Sequence, residues 1–570
     1  MIRSTFAGFT TAQLGMAASQ RALDVTGQNI TNINTPGYTR QRLDIASLNT
    51  QKGDYYNSKS NIKVGFGVEM TGISQLRDPF LDAQYRSQIS KLGTSDAHAA
   101  GFELLTPIFD EATMSGVREA FISLTSALNT LSTPAGIAND ENDAMVRSKM
   151  QILLNLFREN SVRLEDVREN VQTGFATTDV GDLNQLLDNI ANLNVSIKNS
   201  QILGNPALEL QDQRNSLLDE LGSYLPISVK YSDQEIGPNQ YVEVLDVVFT
   251  DTDGVKHSLI SDSRAASFDA IVNDKSARLM LSDAKGGTTE VTDILGSGTL
   301  KGTLDLINKS GDFDGSDFRG IGYYEKALDS LVATFAEEFN KMNIPTDNDG
   351  NPKNLTDDKG NVIEVKDKDG NPIYLQQRDK DGNLVFDTTT NPPTPLYYTD
   401  KATGKPVYDY ALFQKKDDSL PFSASNIKIA DGWANGTYKI TASNNYVVTD
   451  KETGSTANEN ILNMVKLLEN KISFEVDGKQ FYSGSFHDCF ANLEATLGID
   501  YKSESTMLAN QISVLNQTSN SRDGVSGVQL DEEGMNLLHY NQSYTAAARL
   551  MTTLDEALDV LINRTGVVGR

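Results

Sequence analysis

Both ends of this chain carry an apolar residue at every seventh position, a pattern its middle does not share. Near the N-terminus these are Ile2, Phe9, Met16, Leu23 and Ile30, with Thr5, Ala12, Ser19, Thr26 and Ile33 three positions further on. Near the C-terminus Leu537, Tyr544, Met551 and Leu558 keep the same step, followed at three by Tyr540, Ala547, Leu554 and Leu561. Two positions in seven at this spacing make one stripe on a helix, the seam along which coiled-coil helices pair. No proline interrupts either stretch, and Asp531, Glu532 and Glu533 stand where the dipole of a C-terminal helix favours negative charge. The pattern predicts two terminal helices of about 30 residues, each about 45 Å long.

An apolar stripe is usually core within one domain. Here each helix has a second, weaker stripe, Ala7, Leu14, Ala18 and Val25 on the first and Leu538, Leu550, Ala557 and Val560 on the last. A two-helix pair buries one face of each member, so the second faces point to packing between molecules. Such a pair is marginal in a free monomer and is ordered by assembly.

The first helix is predicted to stop at Asn34-Thr35-Pro36-Gly37-Tyr38, where Pro and Gly occupy the second and third places of a type II turn. The fold class expected is multi-domain α + β: paired terminal coiled-coil helices, a long-helix trunk domain, and inserted outer β-rich domains. By residue, 1–45 with 525–570 form the terminal helical domain, and 46–225 with 303–343 and 421–524 the mainly helical trunk. Residues 226–302 form a β-rich outer domain, on alternating runs such as Tyr241-Val242-Glu243-Val244-Leu245. Residues 344–420 form a hairpin-rich, proline-rich insert that repeats one phrase: Asp347-Asn-Asp-Gly-Asn, Asp357-Asp-Lys-Gly-Asn, Asp367-Lys-Asp-Gly-Asn and Asp379-Lys-Asp-Gly-Asn.

Chemistry is harder to find. The Asp-rich repeats invite a calcium reading, but counting back from Gly350 or Gly370 puts Pro345 or Val365 at the first EF-hand position, and neither offers a side-chain oxygen. Solvated hairpin turns are the reading preferred over a weak calcium site, and the same holds for Asp312, Asp314 and Asp317. The four histidines form no HExxH, Cys489 has no second cysteine, and Gly404-Lys405-Pro406 and Gly478-Lys479-Gln480 are not Walker loops. His487-Asp488-Cys489 reads as a buried cysteine beside polar neighbours. No catalytic residue, cofactor or metal site is assigned. With 50 Lys and Arg against 77 Asp and Glu, a net charge of −27, gripping nucleic acid or an anionic membrane surface is disfavoured. No apolar run nears the roughly 18 residues that span a bilayer, and the opening residues look unlike a cleaved secretory signal.

Ser4-Thr5-Phe6, Gly8, Gly15, Ser19-Gln20, Ala22-Leu23, Val25-Thr26 and Asn29-Ile30, then Asn32 to Gln41, resemble the N-terminus of bacterial flagellar rod, hook and hook-associated proteins. The Thr35-Pro-Gly-Tyr-Thr-Arg-Gln41 ending is similar to the hook–filament junction members rather than the rod or hook subunits. Gly65-Phe-Gly-Val68, Phe80 to Arg86, Leu210 to Leu221, and Val525 to Val528 with Leu530 to Glu533 agree with it. The likeness is strong at both ends, recognisable through the helical trunk, weak over 226–302 and absent over 344–420. It implies a non-catalytic structural protein, exported without a cleaved signal peptide by the flagellar type III route, that forms a junction ring between hook and filament. Implied partners are copies of itself, the hook protein, a second junction protein (hook-associated protein 3), and a cytoplasmic export chaperone at the C-terminal helix. The assembly interface expected comprises Phe9, Met16, Leu23, Ile30, Asn34 to Tyr38, Leu537, Tyr540, Tyr544, Ala547, Met551, Leu554, Leu558 and Leu561. The competing reading is a secreted adhesin or ligand-binding surface protein using the hairpin-rich insert, which leaves the paired terminal seams unexplained.

Overall fold

The computed structural model describes residues 5–48, 65, 67–109, 116–237, 240–347, 349–356, 361–367, 370–377, 384–390, 392–443 and 458–564. Helix α1 (Thr5–Thr31) is followed by the predicted turn: Thr35 O accepts the Tyr38 N–H at 3.2 Å, and Gly37 takes a φ of 77°. Strands β1 (Gln41–Ser47) and β2 (Val68–Gln75) pair antiparallel beside it, with a bulge between Asp44 and Ile45.

Helices α2 (Pro79–Phe109), α3 (Val117–Leu131) and the short α4 (Pro134–Ile137) open the trunk. Helix α5 (Asp140–Gly174) is capped by Asn139, whose side chain accepts the Glu141 N–H at 3.0 Å. Its first-turn acids Asp140, Glu141 and Asp143 suit the dipole there. It continues through a π turn at Phe175–Asp179 into α6 (Val180–Ile202), against which α7 (Leu208–Tyr224) packs.

Strands β3 (Ile227–Gly237), β4 (Gln240–Thr250), β5 (Lys256–Ser261) and β6 (Arg264–Ala265) form one antiparallel sheet in that order. Strands β7 (Ser267–Asn273), β8 (Ser276–Ser282) and β9 (Thr288–Glu290) form another. Inward-facing Leu245, Val247 and Phe249 share one core with Phe175, Leu183, Leu187, Leu218 and Leu221, and with Leu300 and Leu304 of α8 (Thr299–Asn308). The stretch 226–302 was expected as a separate outer domain. Its core is instead continuous with the helices on which the sheets lie. Where α8 crosses α2, both backbones approach through glycines. A Cβ on Gly101 would stand 2.2 Å from Leu306 Cδ2, and one on Gly302 2.7 Å from Ala97 Cβ.

The larger core gathers α2, α3, α5, α9 (Ile321–Met342) and elements from the last third of the chain. Past the small strands β10 (Phe386–Asp387) and β11 (Thr394–Pro395), strand β12 (Phe413–Lys415) pairs with β13 (Ile427–Ile429). There follow α10 (Asp431–Ala434), α11 (Glu459–Glu469), the hairpin β14 (Ile472–Val476) and β15 (Lys479–Gly484), and two long helices, α12 (Phe486–Ser526) and α13 (Leu530–Asp559). Aromatic rings interlock at the centre, with Phe335 edge-on to Phe486 at 5.5 Å and to Phe121 at 5.9 Å. Trp433 is fully buried, its indole N–H donating to the Asp143 carboxylate at 3.1 Å. Cys489 is buried too, and burial pushes its thiol up, away from reactivity.

Over 344–420 the hairpin reading holds where residues are described. Asp347 accepts from the Asn351 N–H and Asp367 from the Asn371 N–H, around Gly350 and Gly370 at positive φ. The repeats at 357–361 and 379–383 lie wholly or mostly outside the described residues. The expected boundary at 420, however, cuts through the trunk core. Val365, Tyr410, Leu412 and Phe413 belong to that core, and Asn340 on α9 accepts the Leu412 and Phe413 N–H groups at 2.8 Å each. Among the described residues no helix is long and apolar enough to cross a membrane, and no three His, Cys, Asp or Glu side chains are grouped to hold a metal ion.

Candidate assembly surface

Helices α1 and α13 pack against each other through small residues. A Cβ on Gly8 would lie 3.1 Å from Leu554 Cδ1, and one on Gly15 3.9 Å from Ala547 Cβ, so the two helices run antiparallel in a seven-residue step. The same register brings Ala22 to the level of Tyr540 and Asn29 to Glu533. Ala12, Ala18, Ser19, Ala22, Val25, Thr26 and Asn29 of α1 are buried, so the small half of the predicted seam is what the pair encloses. The large half, Phe9, Met16, Leu23 and Ile30, is only half-buried. Small residues let two backbones approach, and the bulky stripe beside them is left partly in water.

Helix α13 is wetter still. Of its 30 residues only Glu533 is buried. Tyr540, Ala547, Met551, Leu554 and Leu558 are half-buried along α1. Leu537 (39%), Leu538 (62%), Tyr544 (37%) and Leu550 (46%) are exposed. Leu561 lies in the π turn Val560–Arg564 that follows, and its side chain is outside the described set. Asn34, Thr35, Pro36 and Gly37 are exposed at the end of α1, and Tyr38 is half-buried. One helix partner thus covers a narrow strip of a much broader apolar face, the arrangement expected of a surface completed by other molecules.

A polar neck ties this pair to the trunk. Asn29 Oδ1 accepts the Gln41 N–H at 3.0 Å and the Tyr38 hydroxyl at 2.9 Å, while its amide donates to Gln41 O at 2.9 Å. Burial, then the charges of Asp212, Glu209 and Glu533, push the Tyr38 phenol up, which keeps it a donor. Arg40 Nε donates to Glu533 Oε1 at 2.7 Å and its Nη1 to Glu532 Oε2 at 2.5 Å, while the Arg40 N–H reaches Ser526 O at 2.9 Å. Thr39 N–H donates to Asp212 of α7 at 3.1 Å, and Arg77 grips both Asp82 oxygens beside it. One step further, Asp219 accepts from Arg86 at 2.8 Å and Arg522 at 2.5 Å, with the Arg522 guanidinium 3.8 Å above the Tyr85 ring. Five elements, α1, α2, α7, α12 and α13, are fastened within this one polar cluster.

Sequence reasoning placed Glu532 and Glu533 only as favourable charges at a helix start, and missed Arg40 as their partner. The available signal was a cation in the turn after the first helix and acids at the start of the last one.

Three family models match along the chain. They describe a flagella basal body rod protein over residues 9–39, the helical domain of flagellar hook-associated protein FlgK over 103–353, and a flagellar basal body rod FlgEFG protein C-terminal region over 524–564. The chain is 28% identical over 587 residues to flagellar hook-associated protein 1 of Bacillus subtilis, covering 100% of both. It is 25% identical to the protein of that name from Salmonella typhimurium, covering 97% of this chain and 98% of that one. The flagellar hook junction protein FlgK from Burkholderia pseudomallei shares the fold, with a TM-score of 0.51 at 14% identity over 78% of this chain and 100% of that one.

Proposed function

We propose that this chain is a flagellar hook-associated protein, a structural subunit of the hook–filament junction, and that it assembles through the unburied apolar faces of α1 and α13. It works as part of the external flagellum, together with hook components, in a family of structural proteins not known as enzymes. The observation that carries the assembly reading is the mismatch on α13: a broad apolar face with one narrow helix partner.

In this reading copies of the chain form a ring, with α1 and α13 on the inside and trunk and hairpin segment outside. The hook protein lies beneath and the second junction protein, hook-associated protein 3, above. Before export, a chaperone covers α13, whose exposed Met535, Leu537, Leu538 and Leu550 would otherwise be free to aggregate. The interface we assign comprises Phe9, Met16, Leu23 and Ile30, Leu537, Tyr544, Leu550, Met551 and Leu558, and the turn Asn34 to Tyr38. Tyr540, Ala547 and Leu554 serve first to hold α1.

Leu537→Asp and Leu550→Asp test it. Both side chains are exposed in the single chain, so the monomer should melt unchanged. A buried unpaired carboxylate between subunits is costly. Filament protein should therefore be shed into the medium. Normal filament numbers in both variants would overturn the assignment.

A further inference from the structure

We propose that His98 is a protonation lock holding the distal half of α12, and with it the approach to α13, onto the trunk. His98 projects from the middle of α2 and is 8% exposed, its ring stacked on Phe318 at 3.9 Å between centroids. Its two nitrogens face carboxylates from two other helices. Nδ1 is 3.4 Å from Glu504 Oε2 on α12, and Nε2 is 3.6 Å from Asp305 Oδ2 on α8. A neutral imidazole carries one N–H, so in either tautomer the other nitrogen turns its lone pair toward a carboxylate. The imidazolium can donate both ways.

The surrounding charges leave that geometry intact. On α8, Lys301 pairs with Asp305 at 2.5 Å. On α12, Asp500 is occupied by Arg319 at 2.9 Å, from the loop before α9, and by the Tyr324 hydroxyl of α9 at 2.8 Å. Burial works against the imidazolium, but the ion-pair contacts with Asp305 and Glu504 outweigh it and hold the ring's pKa above its ordinary 6.5.

Position gives the lock its consequence. The buried apolar anchors of α12, Phe486, Cys489, Phe490, Leu493 and Leu497, all lie in its first third, and beyond them the one buried residue is Thr518. Polar links fasten the distal half to α2, His98 to Glu504, Gln88 to Gln511, and Arg522 stacked on Tyr85, beside the half-buried Tyr501, Leu508 and Leu515. A group whose folded pKa is raised contributes fully below its unfolded value. That contribution is lost as pH rises through the folded one. The lock is therefore closed below pH 6.5 and opens with increasing alkalinity.

Imidazole NMR titration of the full chain tests this, paired with hydrogen exchange over residues 498–511 from pH 6 to 9, corrected for intrinsic rates. The His98 midpoint should lie above 6.5. Exchange over 498–511 should accelerate several-fold across the range. In His98→Gln, which keeps a donor but does not titrate, the pH dependence should vanish. In Glu504→Gln the midpoint should fall toward 6.5, a readout that survives if His98→Gln does not fold. A midpoint at or below 6.5, an unchanged midpoint in Glu504→Gln, or the same pH dependence in His98→Gln would overturn the proposal.

Discussion

Replacing Arg40 with alanine removes the cation bonded to Glu533, a side chain 2% exposed at the start of α13. Deleting one partner of a buried charge pair costs about 3–5 kcal/mol, because the remaining charge is left without compensation. Glu532, the second partner, is nearly half in water and adds at most about 1 kcal/mol. Arg40 itself is 16% exposed, so water can enter the vacated space, and the low end of the range, about 3 kcal/mol, is expected. At 1.4 kcal/mol per decade, that is roughly a hundredfold in the opening equilibrium. The loss should fall on the attachment of α13, since the trunk core does not include it. Hydrogen exchange of the monomer is the assay. In the native chain, protection should be highest beside the neck and fall along both helices toward their far ends. In Arg40→Ala, exchange over 529–540 should rise about a hundredfold or reach the unprotected rate, while the unfolding transition read by buried Trp433 stays in place. Arg40→Lys, able to make one bond rather than a fork, should fall between. Unchanged exchange over 529–540 in Arg40→Ala, or an equal loss of protection across the trunk, would refute the clamp.

Other expectations follow from close contacts. Gly8→Leu forces a side chain into Leu554 where a lone Cβ already stands 3.1 Å away, so α1 and α13 should separate and filaments be lost with the trunk still folded; electron microscopy beside a melting curve decides this. Phe413→Ala should lower trunk stability by about 3–5 kcal/mol in urea unfolding followed by Trp433 fluorescence, whereas a loop-like insert would give almost nothing. Gly302→Val places branched carbons against Ala97 and Thr94 at the α2–α8 crossing, and a drop of about 1–3 kcal/mol in the same assay is expected.

The terminal helices were legible because a heptad is a local pattern, and the turn at Thr35 to Tyr38 because Pro-Gly has few conformations open to it. Which half of the α1 seam would be enclosed was not legible. Large residues are the usual guides to burial, but close approach of two backbones favours Gly8, Gly15 and Ala22. The full length of α12 was not legible, since its buried apolar residues stop at Leu497 and its remainder, rich in Ser, Thr and Asn, keeps only Tyr501, Leu508 and Leu515 at the seven-residue step. The two domain boundaries that differ share a cause. Val247 and Phe249 read as strand, and Tyr410 and Phe413 as part of a turn-rich segment, while their packing partners on α6, α7 and α9 lie far away in sequence. The Arg40 clamp has the same character, joining residues separated by nearly the whole chain.

The central claim, that the exposed stripe of α13 is covered by other subunits in the flagellum, is tested most directly by crosslinking in flagellated cells. A photo-crosslinking side chain would stand at Leu550 and, as the control, at Phe386, exposed in the hairpin segment. The account predicts adducts from Leu550 to a second copy of this chain or to another axial flagellar subunit, and few or none from Phe386. Adducts from Phe386 with none from Leu550 would contradict it.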